Sequence, residues 1–198
     1  MISERARARL KLSLVFAIFL LPPAAAWLLH SLAPEWQPFG TMNHGTLITP
    51  PRPLSVEGLT AAAGGAPRAL KLPGRWTLVV VASVPCESAC RRALYDTRQA
   101  RIALGKDAGR VQRLLVLDAA PGPSALGHIR NEHPDLETAR ADPEWLAPFA
   151  TRDGQTPSAG SMYIVDPQGN LMMRYAPDAD PEGLLKDLKR LLRVSRAG

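Results

Sequence analysis

The sequence predicts an α/β domain, a mixed sheet flanked by helices, preceded by one N-terminal transmembrane helix. Three observations carry this prediction. A predominantly apolar stretch covers residues 12–32, which is long enough to cross a bilayer as a helix. Two apolar runs rich in Val and Leu, at residues 76–83 and 113–118, flank a long helical segment. An amphipathic helix begins at Pro181 and has leucines along one face.

The basic charge of the chain is concentrated at its two ends. The 198 residues carry a formal net charge of +6 and 46% of them are hydrophobic, a composition that excludes a disordered polyelectrolyte. Residues 1–11 hold four basic side chains and one acidic side chain, and residues 186–198 hold five basic side chains and one acidic side chain. The residues between these two segments have a net charge close to zero. Because no basic stripe with interleaved aromatic residues occurs, the sequence predicts no nucleic-acid partner.

Residues 12–32 are predicted to form a single transmembrane anchor. About 21 residues span roughly 30 Å as a helix, which matches the hydrocarbon core of a bilayer. The basic residues 1–11 directly precede this stretch, and Trp27 and Trp36 lie near its other end. The positive-inside rule therefore predicts that residues 1–11 form a cytoplasmic basic tail and that the rest of the chain is exported.

A cleaved signal peptide is the alternative for the same stretch. Residues 14–21 form an apolar segment, and Ala24, Ala25 and Ala26 offer the small side chains of a cleavage site. The apolar stretch continues beyond these alanines to Leu32, which favours the anchor. Both interpretations place the bulk of the chain in an oxidising compartment, where cysteine pairs form disulfides.

Residues 33–74 are predicted to form a tether that leads to a domain at residues 75–198. The tether holds seven prolines and the pair Gly64-Gly65. It has no sustained helical or strand period, which is typical of a linker, although short strands fit there too. At Trp76 the chain changes to a continuous apolar run, which predicts a central strand buried on both faces.

The first half of the domain is predicted to continue with a helix and a second strand. The residues after Cys86 include no Pro or Gly until Gly105, which predicts a helix of four to five turns. Residues 113–118 then predict a strand that runs parallel to the first, because the helix serves as a right-handed crossover. Short helices are expected near residues 125–131 and 143–149.

The second half of the domain is predicted to hold a β-hairpin and a final helix. Residues 166–169, Asp-Pro-Gln-Gly, fit a type I turn between two apolar strands. Asp180 and Pro181 suit the N-cap and the first position of the last helix. This order of elements, with two cysteines at the first strand-to-helix junction, is the thioredoxin arrangement.

Cys86 and Cys90 are the candidate catalytic residues, one helical turn apart at that junction. Unpaired N–H groups at a helix N-terminus stabilise a thiolate, and Arg91 and Arg92 add positive charge. The spacing suits either a disulfide or two thiolates on one soft metal ion. A purely structural disulfide is the alternative, although so short a loop constrains the unfolded chain weakly.

Several segments resemble the Sco (SenC) copper-chaperone family of cytochrome c oxidase assembly. They are CESAC at residues 86–90, MYIVDPQGNLMMRY at residues 162–175, the N-terminal anchor and the terminal amphipathic helix. The resemblance is closer to small membrane-anchored proteobacterial relatives of that family and covers roughly residues 40–195. It implies a thioredoxin-like fold and a single-pass protein of the bacterial inner (plasma) membrane with its C-terminal domain in the periplasm.

The resemblance also implies metal ligands. Sco proteins bind copper through both cysteines of the CxxxC motif and a distal histidine, which makes Cys86 and Cys90 the candidate ligands here. Counting back from Tyr163 places Ser158 where that family has its histidine. Thioredoxin-like reductases keep a cis-proline about three residues before the same aromatic residue, where this chain has Gly160. The chain therefore departs from both patterns.

The function implied by the resemblance is an auxiliary one in respiratory oxidase assembly. In the leading hypothesis, the Cys86/Cys90 dithiol exchanges with, or keeps reduced, the thiols of a copper-receiving partner, an oxidase subunit or assembly factor. This makes the chain a candidate thiol-disulfide oxidoreductase. One alternative is a Cu(I) chaperone that uses the two thiolates, with copper as its cofactor. Another is a non-catalytic interaction module in which the disulfide is structural.

Two histidines, three methionines and one aspartate are weaker candidates for parts of the site. His128 and His133 lie close together in the sequence, and both are expected to be solvated surface histidines rather than displaced metal ligands. Met162, Met172 and Met173 carry thioethers that suit Cu(I), but methionines in strands are expected in the core. Asp118 ends a strand, from which its carboxylate is placed to polarise the thiol site, but such a residue is more often expected to cap the turn that follows.

Overall fold

A computed structural model describes residues 4–32, 42–62, 72, 74–151 and 153–195 of the chain. The chain divides into two compact units, Met1–Met42 and Asn43–Gly198. Among the residues just given, those of the first unit form one helix and those of the second form an α/β domain.

The helix of the first unit, α1, runs from Glu4 to Leu32. Within it, Lys11–Leu29 has a mean hydropathy of 2.2 and is long and apolar enough to cross a membrane, a property that signal sequences share. Its large apolar side chains are exposed, Phe19 at 75%, and such exposure is unfavourable in water. The prediction of an apolar N-terminal helix is confirmed.

The second unit is built on a mixed seven-stranded sheet in the order β1-β7-β6-β3-β4-β5-β2. The pairs β3/β4 and β4/β5 are parallel, and the other neighbours are antiparallel. The strands are β1 (Thr46–Pro53), β2 (Leu59–Ala61), β3 (Trp76–Ala82), β4 (Val111–Leu117), β5 (Leu136–Ala141), β6 (Ser161–Val165) and β7 (Asn170–Tyr175).

Helices cover both faces of this sheet, as predicted. They are α2 (Ser88–Ala103), α3 (Pro123–Glu132), α4 (Pro143–Leu146) and α5 (Pro181–Val194), with short 3₁₀ helices at Gly105–Arg110 and Ala147–Phe149. Apolar residues of α2 and α5 pack on one face together with Val80 and Leu115, and Trp145 and Phe149 pack on the other face. The predicted thioredoxin-like arrangement of a mixed sheet between helices is therefore confirmed.

The central strands are buried along their whole length. Every residue of β3 and β4 is buried, because the two parallel strands have helices or loops over both of their faces. In register, Val80 lies between Leu115 on β4 and Met162 on β6. As expected, Met162 and Met173 are core residues, 0% and 2% exposed, whereas Met172 is only partly buried and packs against the core. The rigid end of β3 therefore fixes the position of the residues that follow it.

The predicted hairpin and final helix are confirmed. One carboxylate oxygen of Asp166 accepts hydrogen bonds from the backbone N–H groups of Gln168 at 2.9 Å and Asn170 at 2.8 Å, which closes the turn between β6 and β7. The carboxylate of Asp180 accepts from the backbone N–H of Glu182 at 3.0 Å. This bond caps α5 and satisfies one N–H group that the helix cannot pair itself.

Three short strands extend the sheet beyond the predicted elements. Strands β1 and β2 lie within residues 33–74, where the sequence favoured a tether, and β5 lies in a region where only short helices were expected. The prolines of β1 are compatible with an edge strand, since one of its sides has no neighbour in the sheet. The domain therefore includes residues that precede the predicted boundary at residue 75.

A buried guanidinium connects α2, β4 and the loop after α3. Arg113 on β4 is 1% exposed and donates to the backbone carbonyl of Leu94 at 2.6 Å and to the carboxylate of Asp135 at 3.1 Å. Burial lowers the pKa of Arg113, and Asp135 partly offsets this by raising it. Because a buried charge without its partners is costly, these contacts hold α2 and the residues beside Asp135 in fixed relation.

Candidate functional site

The two cysteines lie at the carboxyl end of the central strand β3. Cys86 belongs to the loop between β3 and α2, and Cys90 lies in the first turn of α2. They form a disulfide, with their Cα atoms 5.3 Å apart. The predicted pairing of these residues across one helical turn is therefore present in the fold.

The two sulfurs differ in exposure. Cys90 is 1% exposed and belongs to the core cluster, whereas Cys86 is half-buried and lines two cavities. A thiol or thiolate from outside the domain therefore reaches Cys86 first. This asymmetry is suited to a pair in which one sulfur is attacked by a partner and the other resolves the mixed disulfide.

The disulfide lies at the N-terminus of α2. Glu87 is the N-cap in an extended conformation, and no side chain of the described residues caps the helix. The first N–H groups and the positive end of the helix dipole remain available to a thiolate at Cys86. Arg91 lines the same cavity as Cys86 and adds a positive charge.

Asp118 holds the loop that carries Cys86 in place through a hydrogen bond to its backbone. The carboxylate of Asp118, at the end of β4, accepts a hydrogen bond from the backbone N–H of Val84 at 3.0 Å. The backbone N–H of Asp118 in turn donates to the carbonyl of Ala82 at 3.3 Å. Asp118 therefore positions the β3–α2 loop by its contact with backbone two residues before Cys86.

The loop before β6 approaches the CxxxC motif from the other side. Gly160 has φ +84°, and a Cβ atom built on it would lie 2.7 Å from the backbone carbonyl oxygen of Ala89 in α2. Only glycine fits such a close approach in this conformation. Ser158, two residues earlier, is exposed. This loop therefore holds both positions, Ser158 and Gly160, at which the chain departs from the patterns described above.

A cavity of about 550 Å³ opens beside Cys86 on the side of α3. Its apolar wall comes from the β3–α2 loop, α2, β4 and α3, and includes Leu94, Leu117 and Ile129. The same cavity is lined by His128 and His133. Sequence reasoning missed this juxtaposition, because it depends on how α3 folds back over the end of β4.

The expectation that both histidines are solvated is wrong for His133. His128 is exposed, but His133 is 6% exposed, and its buried Nδ1 has no hydrogen-bond partner among the described residues. Burial lowers the pKa of His133, and the positive charges of Arg113 and Arg98 lower it further. The imidazole is therefore neutral near pH 7.

The residues present can hold a soft metal ion through two sulfurs. When the disulfide is reduced, Cys86 and Cys90 offer two thiolates, which are ligands that favour Cu(I). In the part of the chain that the structure describes, no three side chains of His, Cys, Asp or Glu form a metal-binding group. A third ligand from this chain, as a Cu(II) site would require, is therefore not preformed there.

Comparisons with solved structures place the fold beside the Sco proteins. The apo Sco1 protein of Thermus thermophilus has a TM-score of 0.55 and 21% identity, with 77% of this chain and 99% of that chain covered. Yeast Sco1 with copper bound has a TM-score of 0.58 and 15% identity, with 73% and 91% covered. BsSco is described as a member of the Sco family of cytochrome c oxidase assembly proteins with a disulfide switch. It has a TM-score of 0.52 and 16% identity, with 75% of this chain and 99% of that chain covered.

A protein-family model identifies the chain more directly. The model described as the transmembrane-like, thioredoxin-like, C-terminal domain matches residues 76–195. No curated protein matches the chain. The matched residues run from the first residue of β3 to the end of α5 and include both cysteines. The chain therefore belongs to the family of this transmembrane-like, thioredoxin-like domain, and the domain has a Sco-like thioredoxin fold.

Proposed function

We propose that the chain is a membrane-anchored thiol protein that faces the periplasm and exchanges disulfides with a copper-receiving partner during assembly of a respiratory cytochrome oxidase. The observation that carries this proposal is the difference between Cys86, which reaches solvent, and Cys90, which is buried behind it. A structural disulfide has no need of this asymmetry. The oxidase as destination is inferred from solved relatives with the same fold, one of which is described as an oxidase assembly protein.

The proposed reaction balances as a two-electron exchange. The thiolate of Cys86 attacks one sulfur of the partner's disulfide, and the other partner sulfur leaves with the electron pair as a thiolate. The thiolate of Cys90 then attacks the sulfur of Cys86 in the mixed disulfide, which releases the second partner thiol. The partner is reduced, the Cys86–Cys90 disulfide forms, and a dithiol reductant outside the chain restores the dithiol.

The roles proposed for other groups follow from their positions. The start of α2 and Arg91 stabilise the thiolate of Cys86 before attack and when it acts as leaving group. Asp118 keeps the β3–α2 loop in place through Val84. Anchoring by Lys11–Leu29 holds the domain near partners in the same membrane, with residues 1–11 in the cytoplasm.

Alkylation kinetics test the proposal. In the reduced full-length protein in detergent, we expect iodoacetamide to modify Cys86 severalfold faster than Cys90, as read by mass spectrometry at near-neutral pH. A denatured sample is the control, in which both thiols react at similar rates. Equal and slow rates in the folded protein contradict the proposal and leave a structural disulfide. In cells, loss of Cys86 is expected to abolish function at least as completely as loss of Cys90.

A Cu(I) chaperone is the second candidate function. It is favoured by the spacing of the two sulfurs, which lie close enough to share one ion once reduced. Solved relatives of the same fold contain copper. In this case copper is cargo passed to the partner, and Cys86 and Cys90 are its ligands rather than redox groups.

A further inference from the structure

A cavity away from the cysteines lies beside the edge strand β1. Its volume is about 290 Å³, and it is lined by β1, residues 149–151 and β7. It shares no lining residue with the two cavities that Cys86 lines. Arg52 and Arg174 are the charged residues of this lining, in which no described side chain is acidic. The cavity therefore offers two positive charges that no carboxylate in its described wall neutralises.

Backbone carbonyls hold the guanidinium of Arg52 at this cavity. Its Nη1 donates to the carbonyl oxygen of Pro148 and, at 3.0 Å, to that of Ala150. These two bonds use the N–H groups of Nη1, whereas no described residue accepts a hydrogen bond from Nε or Nη2. The head group is therefore fixed in place with its other N–H groups unused, and these suit the paired, charge-assisted bonds by which arginine holds an oxyanion.

Arg174 supplies a second guanidinium, which is half-buried and has no hydrogen-bond or ion-pair partner in the described part of the chain. In the register of the sheet it lies between Thr46 of β1 and Tyr163 of β6. Burial raises the pKa of Tyr163, and the positive charge of Arg174 partly offsets this rise. That charge therefore lies near the Tyr163 hydroxyl, which donates to the carbonyl of Phe149 at 3.3 Å. Phe149 also lines the cavity, so both cationic groups lie along the same short segment.

Two cations in one cavity wall favour an anionic occupant, because like charges repel and a half-buried charge without a partner has lost hydration without compensation. The number of donors indicates a phosphate group. A carboxylate has one negative charge and two oxygens, which a single guanidinium satisfies. A phosphate monoester carries a charge of about −1.5 to −2 near neutral pH and three acceptor oxygens, which match two guanidiniums. Thr46, Thr49 and Thr151 in the same lining carry further O–H donors.

We propose that this cavity binds the phosphate group of a phosphate monoester between the guanidinium groups of Arg52 and Arg174. The rest of the wall includes Leu47, Ile48 and Phe149, so an organic group attached to the phosphate has apolar side chains to contact. The monoester is either a soluble molecule or a lipid headgroup, since both present the same group to the two arginines. The inference is independent of the proposed disulfide exchange, because neither cysteine takes part.

Isothermal titration calorimetry tests the inference on the full-length protein in a non-ionic detergent, at constant ionic strength and in a buffer without phosphate. The probes are phenyl phosphate, inorganic phosphate and benzoate. Phenyl phosphate is expected to bind about tenfold more tightly than benzoate, because benzoate has a single charge and engages one guanidinium. Inorganic phosphate is expected to compete with phenyl phosphate at lower affinity, because it has no apolar group.

Substitutions at Arg174 connect the binding to this cavity. Arg174→Gln is expected to weaken phenyl phosphate binding about tenfold, and Arg174→Lys, which keeps the charge but not the planar set of donors, is expected to lie between the two. Arg140→Gln is the matched control and is expected to keep the affinity, since Arg140 is an exposed strand arginine on β5 outside this lining.

A measurement on the unsubstituted protein does not depend on how well these variants fold. Phenylglyoxal modifies arginine side chains, and mass spectrometry reads the rate at each position. Phenyl phosphate is expected to slow the modification of Arg52 and Arg174 and to leave that of Arg140 unchanged. Equal rates at Arg174 with and without phenyl phosphate contradict the inference.

Nanodiscs distinguish a soluble ligand from a lipid headgroup. The titration is repeated in discs of phosphatidylcholine mixed either with phosphatidylglycerol, an anionic diester, or with phosphatidic acid, a monoester. Equal binding of phenyl phosphate in both discs identifies a soluble monoester, and binding lost only with phosphatidic acid identifies a lipid headgroup. Both results support the site.

Three results overturn the inference. They are no binding of phenyl phosphate at millimolar concentration in detergent, equal affinities for phenyl phosphate and benzoate, and an affinity that Arg174→Gln leaves as unchanged as Arg140→Gln does. The proposed disulfide exchange stands in each case, because its own test is the alkylation of Cys86.

Discussion

The imidazole of His44 and the carboxylate of Asp187 join the start of the α/β domain to its last helix. Nδ1 of His44 lies 3.1 Å from Oδ1 of Asp187. The backbone N–H groups of His44 and Gly45 donate to Oδ2 at 2.8 and 3.0 Å, and so does the hydroxyl of Tyr175 at 2.8 Å. Asp187 is 3% exposed, so these contacts compensate a buried charge.

The hydroxyl of Tyr175 is expected to contribute strongly to stability. Burial raises the pKa of Tyr175, and its hydrogen bond to Asp187 raises it further, so the hydroxyl remains a donor. The Tyr175→Phe substitution removes one hydrogen bond to a buried carboxylate and lowers the free energy of unfolding by about 1.5–3 kcal/mol. Urea unfolding followed by fluorescence measures this change. Tyr95→Phe, at a residue 59% exposed, is the control, and an equal effect of both substitutions contradicts the prediction.

Asp187 also predicts how stability depends on pH. Burial by itself raises the pKa of Asp187, but hydrogen bonds from Gly45, His44 and Tyr175 outweigh burial and hold the pKa below its ordinary value. The unfolded chain therefore takes up the proton first as the pH falls. The stability from this group is complete above about pH 4 and is lost as the pH falls through the lower pKa of the folded state.

The corresponding measurement is the free energy of unfolding from about pH 6 down to about pH 3, a range that includes the ordinary pKa of aspartate. We expect the Asp187→Asn variant to be less stable at pH 6 and to lose stability less steeply on acidification. Asp178→Asn, at an exposed carboxylate of the same region, is expected to keep the slope of the unsubstituted chain. Parallel curves for the chain and Asp187→Asn contradict this interpretation.

Gly160 provides a prediction about the loop opposite the cysteines. Alanine at this position places a Cβ against the carbonyl oxygen of Ala89. It also adopts a left-handed backbone conformation, which costs about 1–2 kcal/mol of stability for a residue with a Cβ. Gly154 has a similar φ of +75° but has nothing within 4 Å of its Cβ position. We therefore expect Gly160→Ala to lower the melting temperature clearly more than Gly154→Ala. Equal shifts by calorimetry mean that the loop moves away from α2 without cost.

Topology is tested with a reporter. The basic residues before the apolar segment predict that an enzyme reporter fused after Gly198, of a kind active only outside the cytoplasm, is active. The protein is expected to stay in the membrane fraction after a carbonate wash. An inactive reporter contradicts the orientation. A mature N-terminus at Trp27 contradicts the anchor and supports a signal peptide.

Copper binding is expected to be limited by the number of ligands. The reduced chain is predicted to bind at most one Cu(I), in competition with alkylation of Cys86 and Cys90, and to give no stable Cu(II)–thiolate absorption band. Ser158→His supplies an imidazole on the exposed loop before β6 and is expected to create that band. Thr156→His, exposed on the same loop, is the control. A tight Cu(II) complex of the unsubstituted chain favours the chaperone over disulfide exchange.

The elements that the sequence predicted well are those whose signals are local. The run from Trp76 to Ala82 is apolar at every position but one, and a strand buried on both faces is the consequence. The cap of Asp180 and the turn at Asp166 depend on side chains that bond to backbone two to four residues away. The pairing of Cys86 with Cys90 is also a local signal, because the two cysteines are four residues apart.

What the sequence did not predict depends on distant contacts. Strand β1 reads as a proline-rich linker, and it becomes a strand because β7 offers a free edge. The burial of His133 follows from the packing of α3 near a loop that Arg113 fixes through Asp135. No local pattern distinguishes this histidine from His128, which is five residues away and exposed.

The two edges of the sheet come from one short piece of chain. Strand β1 covers β7 on one side and β2 covers β5 on the other, although Thr46–Pro53 and Leu59–Ala61 are separated by five residues. During synthesis this piece leaves the ribosome long before β7 and Asp187 exist to receive it. If the domain is exported as proposed, it is expected to cross the membrane with the chain still open, and the sheet closes only after α5 has crossed. Until β7 is available, strand β1 has no partner, and its unpaired backbone groups are a point where a chaperone or a second chain can bind.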